Sequence, residues 1–253
     1  LKNPLKEKLK RGEAVIGTFV MMGHPDVAEW LSRVGFDWLL LDSEHTPNSY
    51  ETLQRQMQAM NGSGCIPIVR PQWNDPVVMK RVLDIGAYGV LIPWVNSREE
   101  AENAVRYCKY PPEGMRGWGP RRAGMFDPDY YQTANDELLI TIQIETQEAL
   151  DNLDEILSVP GIDACYIGPW DLSVSLGFGI PPDWNAPRYQ AAFDKVLEAA
   201  AKHGKPAGMF CLSDNVEWAI KKGFIYNTVD IDDLFLIQGA GKALEKARNA
   251  AKK

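Results

Sequence analysis

Short apolar runs rich in β-branched residues alternate along the whole chain with longer stretches whose apolar positions recur every three to four residues. The short runs have the length of strands buried on both faces, and the longer periodic ones have the length of helices packed on one face. The strands expected, in order, are 14–20 (AVIGTFV), 37–42 (DWLLLD), 66–71 (IPIVRP), 89–95 (GVLIPWV), 138–145 (LLITIQIE), 163–169 (DACYIGP), 206–212 (PAGMFCL) and 224–231 (FIYNTVDI). Helices are predicted over 25–34, 49–60, 75–85, 97–107, 146–157, 186–203, 213–222 and 233–250. Pro25 and Pro76 stand at first turns, Ser49 is a cap, and Ser97 with Glu100 has the spacing of a capping box. Strands alternating with helices predict a parallel sheet with crossover helices, and eight repeats close a (β/α)8 TIM barrel. Residues 109–137 and 177–187 interrupt the alternation, and loops of such length are usually functional or ordered by a partner. With no internal repeat and no linker, 1–253 is expected to be one domain.

Composition narrows the class. The chain has 253 residues, the usual size of one such barrel, with 45% apolar and 24% charged residues. Its 27 basic and 34 acidic side chains give a net charge of −7, which argues against nucleic acid as a partner while leaving room for a small anion beside an arginine and a metal ion. Cys65, Cys108, Cys165 and Cys211 are scattered, as expected of buried thiols rather than a disulfide framework. No apolar run approaches the ~20 residues that cross a bilayer, and the opening LKNPLKEKLKRGE is too charged for a secretory signal, so no membrane partner and a cytoplasmic location are expected.

In such a barrel the loops leaving the C-terminal ends of the strands converge on one rim. Strand two ends in Asp42-Ser43-Glu44-His45, strand three in Arg70-Pro71 and strand five in Gln143-Ile144-Glu145, while strand six runs out through Gly168-Pro169-Trp170-Asp171. Glu145 or Asp171 alone reads equally well as a helix or turn cap. Together, at adjacent strand ends, they suit Mg2+ or Mn2+, which bind one or two carboxylates and take other oxygens from water and substrate. Arg70 closes an otherwise apolar strand, where a guanidinium fork suits an anion; the plainer reading is a rim ion pair. His45 follows two acids at a strand end, where an imidazole suits general acid–base work, although a lone histidine is more often structural. His24, in a Gly-His-Pro turn, and His203, near a helix C-terminus, are read as structural.

These residues resemble those of a known family, the HpcH/HpaI-type pyruvate aldolases, metal-dependent class II enzymes that include 4-hydroxy-2-oxoheptanedioate aldolase. The likeness covers essentially the whole chain through LLLDSEH (39–45), PIVRP (67–71), YPPEGMRG (110–117), QIET (143–146), ALDNLDEIL (149–157), GID (161–163) and YIGPWDLSVSLG (166–177), in that order. It implies that Glu145 and Asp171 hold a divalent metal (Mg2+, Mn2+ or Co2+) and that Arg70 binds the pyruvyl ketone oxygen. It implies that His45 is the acid–base group, acting through a water on the metal and paired with Asp84 across a subunit boundary. Gln143, Leu212 and the backbone N–H groups of Trp170 and Asp171 join the substrate-binding set. The resemblance further implies a homo-oligomer, a hexamer built as a trimer of dimers, with the last helix packing on a neighbour. The chain departs from the pattern at Trp170, where many relatives have a small residue, and at Phe19, where tryptophan is often found. It departs again at Trp118-Gly-Pro-Arg-Arg. Arg121 and Arg122 are left with two readings, a distal substrate carboxylate or salt bridges between subunits.

The reaction this implies is cleavage of a 4-hydroxy-2-oxo acid to pyruvate and an aldehyde, and the reverse addition. Oxaloacetate decarboxylation or a decarboxylation-coupled condensation would use the same enolate. A Schiff-base aldolase needs a lysine in the mouth, and no expected strand ends in one. A non-catalytic 2-oxo acid binding protein is the alternative from another class.

Overall fold

The structure, a computed structural model, describes residues 1–252. Strands β1 (Val15–Val20), β2 (Trp38–Asp42), β3 (Ile66–Arg70), β4 (Gly89–Ile92), β5 (Leu139–Ile144), β6 (Ala164–Ile167), β7 (Ala207–Cys211) and β8 (Tyr226–Ile231) are all parallel and close in chain order, β8 pairing with β1. This is the (β/α)8 barrel expected from the alternation. Helix α1 (Pro4–Lys10) precedes β1, and α2 (Pro25–Leu31), α3 (Tyr50–Ala59), α4 (Pro76–Asp84) and α5 (Arg98–Cys108) follow the first four strands. The segment before β5 contains α6 (Ala123–Phe126) and α7 (Tyr130–Glu137). Then come α8 (Gln147–Asp151), α9 (Leu153–Leu157), α10 (Pro169–Ser175), α11 (Pro187–Lys202), α12 (Val216–Lys222) and α13 (Asp232–Ala251).

Three departures from the sequence expectation have simple causes. The helix expected over 146–157 is broken at Asn152, whose φ −100° and ψ 11° leave the helical region. Strand β4 stops at Ile92 rather than Val95, because Pro93 follows and Trp94 has a positive φ of 54°. Helix α1, too charged to stand out, forms because Leu5 and Leu9 lie one turn apart on one face and are both buried.

Two separate cores result. Outward-facing strand residues such as Leu39, Leu41, Val69, Ile92 and Ile167 pack under the helices. Inward-facing ones, Val15, Phe19, Trp38, Leu40, Ile66, Ile68, Leu91, Leu139, Ala164, Tyr166 and Tyr226, fill the barrel together with Leu5 and Leu9 of α1. The α1 helix therefore plugs the N-terminal end of the barrel. Asn3 caps it and donates to the carbonyls of Tyr88 and Glu137, while the Lys6 ammonium donates to Leu138 O at 2.8 Å and pairs with Asp163. Burial pulls the Lys6 pKa down, and Asp163 opposes that. The four cysteines are free and buried, and burial pushes each thiol up to about 12, so they behave as small apolar side chains.

The barrel interior admits the indole of Trp38 only because Gly17 faces it. A Cβ on Gly17 would lie 2.5 Å from the Trp38 ring. Gly17→Ala should therefore cost about 1–3 kcal/mol, the usual range for overpacking. Urea denaturation measures this, and Gly17→Ala/Trp38→Phe should recover part of the loss; equal stability of Gly17→Ala and the parent contradicts this packing.

Candidate active site

Side chains alternate along each strand, so the inward positions that fill the barrel continue at its C-terminal end into the mouth. On β2 the series Trp38, Leu40 reaches Asp42; on β3, Ile66 and Ile68 reach Arg70; on β5, Leu139 and Thr141 reach Gln143 and then Glu145. Asp42 and Arg70 are register partners on neighbouring strands. Arg70 Nε donates to Asp42 Oδ1 at 2.6 Å, with Arg70 6% exposed and Asp42 fully buried. Burial acts to lower the arginine pKa, but Asp42, with Glu44 and Glu145, holds it above the ordinary value. The plainer expectation for Arg70, an ion pair, thus holds. Among the described residues only Nε makes a protein hydrogen bond, so both terminal nitrogens are left for a ligand.

Asp42 also shapes the loop after β2. It accepts from the backbone N–H groups of Glu44 (3.3 Å) and His45 (3.1 Å), and its own carbonyl accepts from Thr46 and Asn48 at 2.7 Å. Glu44 is thereby turned inward and His45 outward, the imidazole side chain being 55% exposed with Nε2 3.6 Å from Glu44 Oε2. Burial raises the Glu44 pKa.

Glu145 is 2% exposed. Its Oε1 accepts from Trp94 N at 2.9 Å and its Oε2 from the amide of Gln143, whose own oxygen is buried without a partner. Trp94, the donor, has a positive φ of 54°, unusual for a residue other than glycine. Burial pushes the Glu145 pKa up to about 8, with the Trp94 N–H acting against it and the charges of Glu44 and Asp171 adding to it. Asp171 stands in the first turn of α10, close enough to Glu145 for their charges to interact. Gly168, directly after β6, leaves room for Glu145 and Gln143: a Cβ there would come within 2.5 Å of Glu145 Oε2 and 2.6 Å of the Gln143 amide nitrogen.

Aromatic rings wall one side of the mouth. The Arg70 guanidinium lies 4.9 Å from the ring centre of Phe19; Phe19 packs edge-on to Phe210 at 5.4 Å, Phe210 to Trp170 at 5.0 Å and Trp170 to Trp184 at 6.0 Å. Leu212, next inward after Phe210, follows β7 and donates its N–H to Asn215. His24 caps α2, and His203 pairs with Asp154 on the surface, both structural as expected.

Asp84 does not join this group within one chain. It ends α4, which runs against the strands, so it lies at the N-terminal end of the barrel, bound by Arg116 at 2.7 Å. The segment 109–137 sits at that end as well. Arg122 donates to the Ile85 carbonyl and to Asn61, and lines a cavity of about 810 Å³ with Met57, Tyr88 and Phe126, away from the mouth. That cavity thus does not mark the candidate site; the convergence of charge does.

The residues fit a divalent cation. Asp42, Glu44 and Glu145 act on a single guanidinium and Asp171 stands near the last two, more carboxylates than one arginine balances once Glu145 is ionised, and a dication would offset them. Among the described residues no three of His, Cys, Asp and Glu are arranged to hold an ion directly. A cation here would rest on two carboxylates, with water and substrate completing its shell. Sequence reasoning passed over Glu44, Gly168 and Trp94; inward parity from Trp38 through Asp42 was the one available signal for the acid-rich loop.

The sequence profile described as HpcH/HpaI aldolase/citrate lyase matches residues 15–232. A 4-hydroxy-2-oxo-heptane-1,7-dioate aldolase of Salmonella paratyphi B is 41% identical over 258 aligned positions, covering 100% of this chain and 97% of that protein. A crystal structure of an HpcH/HpaI aldolase/citrate lyase family protein from Burkholderia cenocepacia superposes with a TM-score of 0.93 at 31% identity, over 98% of this chain and 100% of that one. A crystal structure of the citrate synthase SbnG gives 0.88 at 26% identity, over 98% and 99%.

The Glu145 shift has a measurable consequence. Without a cation Glu145 keeps its proton below about pH 8, whereas in the unfolded chain it loses it near 4.5. Its contribution to stability is thus full below about 4.5 and lost as pH rises through about 8. Cation binding near pH 7 should release close to one proton, and affinity should rise about tenfold per pH unit below 8. Calorimetry in buffers of different ionisation enthalpy reads the release; no proton release at pH 6 to 7 contradicts the shift. Gly168→Ala should weaken cation binding on the order of tenfold or more by displacing Glu145, read by the same titration.

Proposed function

Since the chain belongs to the HpcH/HpaI aldolase/citrate lyase family and is a carbon–carbon lyase, we propose that it is a pyruvate aldolase, cleaving 4-hydroxy-2-oxo acids to pyruvate and an aldehyde and running the addition in reverse. Its cofactor on this reading is a divalent cation, Mg2+, Mn2+ or Co2+, held by Glu145 and Asp171. The observation that carries the proposal is the meeting of Asp42, Glu44 and Glu145 around Arg70, with Asp171 near the last two, in a mouth without lysine. No strand, and no loop directly leaving a strand's C-terminal end, contains a lysine, which leaves a Schiff-base route without its nucleophile.

When bound, the cation supplies Lewis acidity that draws negative charge onto the 2-oxo group. Arg70 directs its free terminal N–H groups at the ketone oxygen and stabilises the charge that develops there as C3–C4 breaks. Its Asp42 partner fixes the angle of the fork. Gln143 holds Glu145 and offers its unpaired oxygen to the site. His45, exposed at the rim, takes the proton of the 4-hydroxyl as the aldehyde forms; the electron pair of the broken bond passes into the enolate, and protonation at C3 gives pyruvate. The backbone N–H groups of Trp170 and Asp171 are assigned to the substrate carboxylate. The rings of Phe19, Phe210 and Trp170, with Leu212, form an apolar border for the departing aldehyde.

Among the described residues the His45 imidazole makes no hydrogen bond, Glu44 lying 3.6 Å away, and Asp84 stands at the other end of the barrel. A homo-oligomer in which Asp84 of a second copy reaches His45 resolves this, and a hexamer, as a trimer of dimers, is the proposed assembly. The exposed Leu236, Ile237 and Leu244 of α13 support packing on a neighbour. No helix among the described residues is long and apolar enough to cross a membrane, and four free thiols suit a reducing compartment, so a cytoplasmic location is proposed. Likeness to a citrate synthase supports oxaloacetate decarboxylation or a related condensation as a second activity of the same enolate.

A retro-aldol screen of 4-hydroxy-2-oxo acids differing in tail length and charge tests the proposal. Pyruvate release should stop with chelator and return with Mn2+ or Mg2+, and pyruvate with borohydride should leave the protein unlabelled. Arg70→Ala should lower kcat about 10²–10³-fold, as loss of a donor to a developing oxyanion does. Chelator-resistant turnover with borohydride trapping would overturn the mechanism.

A further inference from the structure

Glu44 has no assigned part in this chemistry, yet it holds a buried carboxylate oxygen without a hydrogen bond. Its side chain is 9% exposed, and Oε2 is enclosed without a hydrogen-bond partner. Arg70 Nε is 3.1 Å from it, but that N–H points at Asp42 Oδ1, 2.6 Å away. His45 Nε2, at 3.6 Å, is beyond hydrogen-bond reach. A buried carboxylate oxygen left idle is costly and uncommon in a folded protein.

Asp42 cannot fill the same role. One of its oxygens serves Arg70 and Glu44 N, and the other serves His45 N. By those bonds Asp42 turns Glu44 inward, toward the side of the mouth where Asp171 and Glu145 stand. The charges of Glu44 and Asp171 act on one another, as do those of Glu44 and Glu145. Glu44 therefore adds negative charge to a place already rich in it, with one acceptor to spare.

We infer that Glu44 is a positioning residue for the cation, accepting a hydrogen bond from a water of its shell rather than binding the ion directly. This rests on the cation reading above. Direct binding is disfavoured because no three of these acids are arranged as a ligand set among the described residues. Mg2+ and Mn2+ characteristically retain waters, whose protons need acceptors. An acceptor of this kind fixes where the water stands and, through it, which positions remain for substrate. Glu44 thus links the cation's shell to Arg70 and His45, the two groups nearest its Oε2.

The test is Mn2+ binding to the full chain in the absence of substrate, by calorimetry and by water-proton relaxation, for the parent, Glu44→Gln and Glu44→Asp. Glu44→Gln should weaken Mn2+ by about 10–100-fold, the usual cost of losing an outer partner, and change the relaxation per bound ion. Glu44→Asp keeps the charge but retracts the carboxylate, and it should lose on the order of tenfold as well. A role confined to neutralising Arg70 would leave both readouts of Glu44→Asp at the parent's values, and that result overturns the inference even if Glu44→Gln fails to fold. A parent that binds no Mn2+ overturns the cation reading itself, and this inference with it. Parent-like binding by both variants overturns only the role of Glu44.

Discussion

The strict in-and-out alternation of eight short parallel strands governs both the stability and the chemistry of this protein. A closed barrel has no edge, so each inward position along a strand must either fill the interior or emerge at the mouth. On β2 the sequence of inward residues is Trp38, Leu40, Asp42, and on β3 it is Ile66, Ile68, Arg70. The first members pack the barrel, and the last are brought face to face by the register of the sheet. A slip of one residue in either strand would bury Leu41 or Val69 in the mouth and push the charges under the helices. Core and site are thus the same column of side chains, read from bottom to top.

The electrostatics of the mouth follow from that column. Arg70 and Asp42 are paired at a depth where neither charge would be tolerated alone. The pair is too small to balance the acids around it. Glu145 answers with a pKa near 8, held down only in part by the Trp94 N–H. The strain at Trp94 and the missing side chain of Gly168 are local costs accepted at one place, around one carboxylate. Such concentration suits the cation proposed for this site.

The two ends of the barrel divide the work. The N-terminal end is closed by α1, with the Lys6–Asp163 pair and the Asn3 cap tying it to β4, β5 and β6. The same end carries Asp84 locked to Arg116, whose guanidinium lies 4.5 Å from the ring centre of Tyr110. That cluster anchors the segment 109–137, which therefore borders no mouth of its own chain. Any part it plays in catalysis depends on a second copy.

The sequence by itself determined the eightfold alternation, the strand limits to within a few residues, and the rim positions of Arg70, Gln143, Glu145 and Asp171. These are set by periodicity and by strand ends, which are local properties of the chain. It also marked 109–137 as unusual, without locating it. Only the tertiary structure decided that Asp42 belongs to Arg70, that Glu44 turns inward while His45 turns out, and that Asp84 and His45 stand at opposite ends of the barrel. It alone explained why residue 168 is glycine and revealed the positive φ of residue 94. Those facts depend on sheet register and on side chains tens of positions or a whole barrel length apart, and no pattern within a stretch of sequence encodes a distance through space.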